Sequence, residues 1–369
     1  MKIKTITCHE VYNYGASLQE FALLKHLKAL GHDVEAINYR PHYDSNHFNL
    51  FRVSNEVFNK NILLKYIYIL LKLPSRLIHL KRKREFDKFS KKFIKSTNTQ
   101  YKCNQQLTNN LPNADVYICG SDQIWNSFFE NGKDPAYYLD FVPSDKLKIS
   151  YAASFAIDKL EENIKEFVKE KVKRINFISV RESSGKNILE NLGIKNVTQV
   201  LDPVFLIESS KWEELITIPK ESDKYIFIYD FDSNPLIKNM ALKYKKDYGW
   251  KIITVNQNIK YADRNYFLEG PIKFLSLVKN AEFVISNSFH AVAFSIIFKK
   301  DFVVFNRHDK INTRMRDLLD SINQKHLLIT DSESLKNHNL NSINYSIVES
   351  ELNKLINVSY KFLDSALKV

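Results

Sequence analysis

Three points in this 369-residue sequence place reactive side chains at the end of a short apolar run. The first is Asn287-Ser288-Phe289-His290, which follows Phe283-Val284-Ile285-Ser286 and precedes the apolar stretch 291–298. It reads as a buried strand that turns into a helix, with an imidazole at the turn. Backbone N–H groups and the helix dipole favour an anion there. His290 beside such a site suits proton transfer to or from an acidic small molecule; the plainer reading is a helix-start histidine that only satisfies backbone. The second point is Gly120-Ser121-Asp122-Gln123-Ile124-Trp125-Asn126, after Val116-Tyr117-Ile118-Cys119. Here a strand breaks at a glycine and sets a carboxylate near an indole, although Asp122 would serve equally as a helix cap. The third is Val180-Arg181-Glu182, a strand ending in a guanidinium. That rigid fork of donors matches phosphate or carboxylate oxygens, or pairs with an acid such as Glu182.

The elements that must hold these groups alternate as strand and helix. Ile3–Thr7, the turn Asn13–Ser17, a helix carrying Leu18, Phe21, Leu24 and Leu27, and the strand Val34–Tyr39 form a βαβ unit. It lacks G-x-G-x-x-G, so a dinucleotide site is not indicated. Residues 41–110 interrupt the rhythm: a loop over 41–55, then two basic helices, Val57–Leu73 and Ser75–Lys95, split by Pro74. Strands follow near 115–119, 147–153, 177–181 and 197–201. After Leu201-Asp202-Pro203-Val204-Phe205 a second α/β set begins at Tyr225, and the tail Tyr345–Lys368 has helical spacing. Asp202, before a proline, is expected to hold the interdomain turn rather than a substrate. The chain therefore divides into domains 1–205 and 206–369. The fold class is α/β: two Rossmann-like domains facing a central cleft, similar to the two-domain (GT-B-like) fold of many glycosyltransferases, with a basic helical insertion at about 41–110 in the first.

Composition narrows the function classes. An apolar content of 44% supports large cores. Cys8, Cys103 and Cys119 show neither redox nor metal spacing, which fits a reducing, cytoplasmic compartment and no metal site. Neither a signal peptide nor a membrane span is expected. The formal charge of +12 is concentrated: Lys60–Lys95 holds twelve lysines and arginines against Glu85 and Asp87, a net of +10. A nearly neutral remainder argues against a nucleic-acid binder.

Taken together, the motifs resemble the polysaccharide pyruvyl transferase family. The segments that carry the resemblance are 13–19, 120–126, Ile149–Phe155, Val180–Glu182, Leu201–Phe205, Ser286–His290 and Asn312-Thr313-Arg314-Met315, in family order. Alanine at 291 replaces the glycine usual after the histidine. The resemblance implies an enzyme that moves pyruvate from phosphoenolpyruvate to a sugar hydroxyl pair, forming a cyclic ketal on a cell-surface polysaccharide or its lipid-linked precursor, with no cofactor. It implies His290 as proton donor and Asp122 as the group that accepts the sugar proton or orients the sugar. Arg181 and Arg314 would bind the donor anion, and Trp125 would stack on a sugar face. Asn13, Gly15, Ser121, Asn287 and Ser288 join them as expected substrate contacts. Leucines and isoleucines threaded through 60–95 suggest an anionic membrane surface as a further partner. Two other readings remain at this point: a sugar-nucleotide glycosyltransferase of the same fold, and a non-catalytic polysaccharide-operon protein.

Overall fold

The computed structural model describes residues 1–43, 50–51, 53, 56–218, 220–257, 259–307, 312–336 and 342–368. The loop expected over 41–55 lies largely outside them, as does Pro219. In the first half, β1 (Lys2–Ile6), β2 (Asp33–Ala36), β3 (Val116–Cys119), β4 (Leu147–Ala153), β5 (Phe177–Val180) and β6 (Val197–Gln199) form one sheet in the order β2-β1-β3-β4-β5-β6. In the second, β7 (Tyr225–Tyr229), β8 (Lys251–Thr254), β9 (Arg264–Asn265), β10 (Phe283–Ser286), β11 (Phe302–Phe305) and β12 (Leu328–Ile329) lie in the order β12-β11-β10-β7-β8-β9. Every pairing in both sheets is parallel. The strands β3, β7, β10 and β11 are buried along their whole length, which is why they read as unbroken apolar runs.

Each sheet reverses its strand order once, between β1 and β3 and between β7 and β10. A crevice opens at the carboxyl ends of the strands at such a reversal, and ligands bind there in open α/β sheets. Asn13 follows β1, Asp122 follows β3 and His290 follows β10. The candidate groups thus sit at the two switch points.

Aromatic packing joins the halves. Tyr14, on the first-half helix Tyr14–Ala29, stacks on Phe274 with ring centroids 4.9 Å apart, and Phe21 on the same helix meets Trp212 edge-on at 5.5 Å. The final helix, Tyr345–Leu367, returns to the first half: Leu201 N–H donates to Ser359 Oγ (2.9 Å), and Tyr360 stacks on His26 with ring centroids 5.1 Å apart.

One expectation is corrected. Pro74 does not split two helices: a single 32-residue helix runs from Ile62 to Phe93 with Pro74 inside it. Proline removes the N–H that would serve the Leu70 carbonyl. Leu70 is exposed, so water can serve that carbonyl instead, and good helix formers on both sides carry the helix through. The helix starts later than expected, at Asn61, whose side chain accepts from Leu63 N–H. Its buried residues are Arg82, Phe86, Phe89 and Ser90, all in its second half. Arg82 links the two halves of the protein. It donates to the Tyr14 hydroxyl (2.7 Å) and the Tyr12 carbonyl (3.2 Å) on one side, and to the Phe267 carbonyl on the other. Its guanidinium lies 4.6 Å from the ring centres of both Tyr14 and Phe267. The helix Thr313–Ser321 lies outside the expected elements, although Met315, Leu318 and Leu319 stand at helical spacing on its buried face.

Candidate active site

Three helices begin around one cavity of about 180 Å³ in the cleft: Tyr14–Ala29, Phe289–Ile297 and Thr313–Ser321. Asn13 caps the first, its Oδ1 accepting from Gly15 N–H at 2.9 Å. The other two begin at Ser288 and Asn312, and neither has a side-chain cap. The first-turn N–H groups of a helix have no intrahelical partner. Two uncapped starts at one cavity therefore aim spare donors and positive dipole ends into it.

Charged side chains cluster around the cavity: Asp122, His290 and Arg314 line it, whereas Arg181 and Asp202 line a neighbouring one of about 210 Å³ that shares Phe289 and Arg314 with it. Arg181 pairs closely with Asp202. Asp122 Oδ1 lies 3.5 Å from Arg181 Nη2 and 3.5 Å from Arg314 Nη1, so one carboxylate sits between two guanidinium groups. Asp202 Oδ2 also lies 3.5 Å from His290 Nε2, at the long limit of a hydrogen bond, and Asp202 Oδ1 accepts from Val204 N–H (3.1 Å). Phe289 forms the floor, with the guanidinium carbons of Arg181 and Arg314 at 4.7 and 5.7 Å from its ring centre.

Burial gives these contacts their weight. It pushes the Asp202 carboxyl up, but Arg181 and then His290 together pull it well below the usual carboxylate range. Arg314 shows the opposite balance. Burial and the neighbouring Arg181 charge bring it down to about 10, against the partial support of Asp122 and Glu182. Nε of Arg314 and Nε of Arg181 are buried without a hydrogen-bond acceptor. Arg181 is well supported: against burial, Asp202, Asp122 and Glu182 hold its charge above the usual arginine value. Arg314 is the member whose charge is poorly met, and an anion entering the cavity would supply what it lacks. Glu182 is fully buried, and burial raises its carboxyl. It accepts from Ser154 Oγ (3.0 Å), Phe155 N–H (2.8 Å) and Ala156 N–H (2.9 Å), which fixes the turn after β4.

The fate of the expected site residues differs. Asn13, Asp122, Asn287, Ser288, His290 and Arg314 all line the cavity. Asp122 caps no helix; it sits in the left-handed region at φ 66°, a conformation aspartate tolerates better than most residues. Asn287 is occupied in holding the loop after β7, donating to Asp230 (2.8 Å) and accepting from Phe231 N–H (2.9 Å). Trp125 presents no face to a sugar. It is wholly buried, stacks on Tyr138 at 5.3 Å and donates its indole N–H to the Tyr137 carbonyl (3.0 Å). Ser121 is likewise buried; its hydroxyl donates to the Ala152 carbonyl (2.7 Å) and its N–H to Gln19 (3.1 Å). Gly15 meets His290 directly. A Cβ added there would lie 1.9 Å from His290 Nδ1, so only glycine lets the imidazole take its place against the helix start.

Asp202 does hold its turn, as expected, but it also binds Arg181 and faces His290 Nε2 at 3.5 Å. Its position before a proline carried no sign of that, because both partners are distant in sequence. Gln123, Phe231, Arg307 and Met315 line the cavity too and were not anticipated. Gln123 and Met315 lie within the motif segments 120–126 and 312–315, which was the available signal. Among the described residues no cluster of His, Cys, Asp or Glu is arranged to hold a metal ion.

Two facing Rossmann-like units with a charged cleft at both switch points define a GT-B-like enzyme architecture. Solved structures share it. A protein assigned as UDP-N-acetylglucosamine 2-epimerase from Listeria monocytogenes superposes with a TM-score of 0.53 at 9% identity, covering 98% of this chain and 94% of its own. The UDP-GlcNAc 2-epimerase of Methanocaldococcus jannaschii, in complex with UDP-GlcNAc and UDP, gives 0.51 at 14% identity, covering 97% and 100%. At such identities the likeness concerns the fold alone. No curated protein sequence matches the chain. The family is shown by sequence: the polysaccharide pyruvyl transferase model matches residues 13–309, and the chain belongs to that family of enzymes.

Proposed function

We propose that this enzyme transfers the pyruvyl group of phosphoenolpyruvate to two hydroxyls of one sugar, on a cell-surface polysaccharide or its lipid-linked precursor, giving a cyclic ketal and inorganic phosphate. The observation that carries the reading is the poorly met charge of Arg314 beside His290, both lining one cavity with the uncapped helix start at Ser288. A donor with a phosphate and a carboxylate answers both features.

The roles follow from position. Arg314 and the helix starts at Phe289 and Thr313 bind the anionic groups, and Arg181 is held in place by Asp202. His290 protonates the methylene carbon of the donor, leaving the adjacent carbon electron-poor. A sugar hydroxyl adds there while Asp122 accepts its proton. Phosphate leaves with the former enol oxygen, the second hydroxyl adds to the same carbon, and its proton passes to the departing phosphate or to solvent. One carbon–oxygen bond to phosphate is lost and two to the sugar are gained, with no change of oxidation state. General acid help of this kind contributes about 10²–10⁴-fold. Asp122 and Asp202 already contact guanidinium groups, so the arginines take the neutralising part and activity is expected to survive a chelator.

The test is incubation with phosphoenolpyruvate and a panel of galactosides, glucosides and N-acetylhexosamines. Phosphate release coupled to a mass gain of one acceptor is expected. Turnover of a sugar nucleotide, with phosphoenolpyruvate inert, would assign the cleft to a glycosyltransferase.

A further inference from the structure

The helix Ile62–Phe93 has a second half that packs and a first half that does not. From Ile62 to Leu80 no residue is buried. At about 1.5 Å per residue this stretch is roughly 28 Å long. It carries large apolar side chains in water: Ile62 is 71% exposed, Leu63 68%, Leu70 66% and Leu71 72%, with Leu77 and Ile78 also exposed. Lys60, Lys65 and Lys72 stand exposed among them, and no acid occurs between Val57 and Arg84. A soluble surface seldom leaves so many large apolar groups contiguous without a use for them. The same positive charge on every copy opposes pairing of this face with itself. An anionic lipid surface satisfies both features, taking the leucines at the acyl boundary and the lysines at the headgroups. No helix among the described residues is long and apolar enough to cross a membrane, so the helix would lie in the interface plane.

We propose that residues 62–80 form a docking surface for an anionic bilayer. Arg82, two residues further along, is fastened to both halves of the protein, so a docked helix sets the attitude of the whole cleft to the membrane. This holds whatever the enzyme transfers.

The experiment is co-sedimentation of the full-length protein with phosphatidylglycerol/phosphatidylcholine vesicles and with phosphatidylcholine vesicles alone. Pelleting with the anionic vesicles is expected, reduced but not abolished at 1 M salt, where the Debye length shrinks to about 3 Å. Each lysine near an anionic surface contributes on the order of fivefold in partitioning. Changing Lys60, Lys65 and Lys72 together to Gln should lower binding at least about tenfold. Changing Leu63, Leu70 and Leu71 to Glu should do at least as much, while circular dichroism melts of both variants match the wild type. Absence of pelleting, equal pelleting on neutral vesicles, or undiminished pelleting of the Leu→Glu variant would each overturn the proposal. So would a dimer in light scattering that those leucine changes dissociate without any vesicle binding, because the face would then belong to a second copy.

Discussion

The cleft and the first half of the long helix both present positive side chains, and they hold them in opposite ways. In the cleft, Arg181 and Arg314 are buried, shaped by Asp122, Asp202 and Phe289, and aimed into a cavity. On the helix, Lys60, Lys65 and Lys72 are exposed on long flexible stems between leucines. A buried cation loses its hydration and must be repaid by partners at fixed positions, so it selects a particular anion. An exposed one keeps its water and attracts negative surfaces generally, with a salt-dependent reach. The balance differs as well: the cleft arginines are offset by Asp122, Asp202 and Glu182, while no acid lies among the helix lysines, and burial with that pairing separates a binding site from a docking face.

The comparison breaks most visibly if cleft chemistry does not need cleft geometry. His290→Ala is expected to lower kcat by about 10²-fold or more at unchanged fold. Gly15→Ala, which adds a single methyl outside the reacting groups, should fall in the same range by displacing the imidazole. Steady-state kinetics beside a thermal melt decide it: near-normal turnover in Gly15→Ala would mean that the observed place of His290 is not the working one.

Next in size is the arginine set. Arg181→Lys keeps the charge but loses the fork, and donor KM should rise about tenfold or more. Asp202→Asn keeps the shape but loosens both Arg181 and His290. Because the Asp202 carboxyl is depressed in the folded protein, its contribution to stability is complete above the ordinary carboxylate value near pH 4. That contribution declines as pH falls from there toward the folded value. The wild type should therefore lose more stability than Asp202→Asn between about pH 4 and pH 2, measured by urea melts across that range. Parallel curves for the two proteins would remove the ion pair from the account.

A smaller effect, on stability rather than rate, is expected at the join between the two regions. Arg82→Ala leaves the Tyr12 and Phe267 carbonyls without their donor at the contact of the halves, and should cost roughly 2–4 kcal/mol. Calorimetry would show a lower Tm, with the transition broadening or splitting if Arg82 couples the halves. The smallest effect belongs to the projecting half of the helix. Leu70→Glu should change stability by less than about 0.5 kcal/mol and leave turnover of a water-soluble acceptor unaltered. A large loss there would mean that this face packs against the protein after all.

Much of this was legible in the chain, for physical reasons that are local. Fully buried parallel strands must be apolar runs, so β3, β7, β10 and β11 announced themselves, and the helix after β10 followed from the turn at Ser288, whereas the helix after β1 begins at Tyr14, inside the stretch 13–17 that reads as a turn. The order of the motifs was enough for the family. Segments with only local cues read less well: Pro74 suggested a break, yet an exposed helix with strong formers on both sides tolerated it. What only the tertiary structure decided were relations between residues far apart in sequence. Trp125 looked like a sugar platform because an indole beside a carboxylate suits one, but Tyr138 already covers its face. Asp202 looked like a turn residue and also binds Arg181 and faces His290. Gly15 looked like part of a turn, and its missing side chain is the space that His290, 275 residues later, requires. Sequence spacing determines which side of a strand or helix a residue occupies; which distant group meets it there depends on how the two sheets close on each other, a property carried by no single segment.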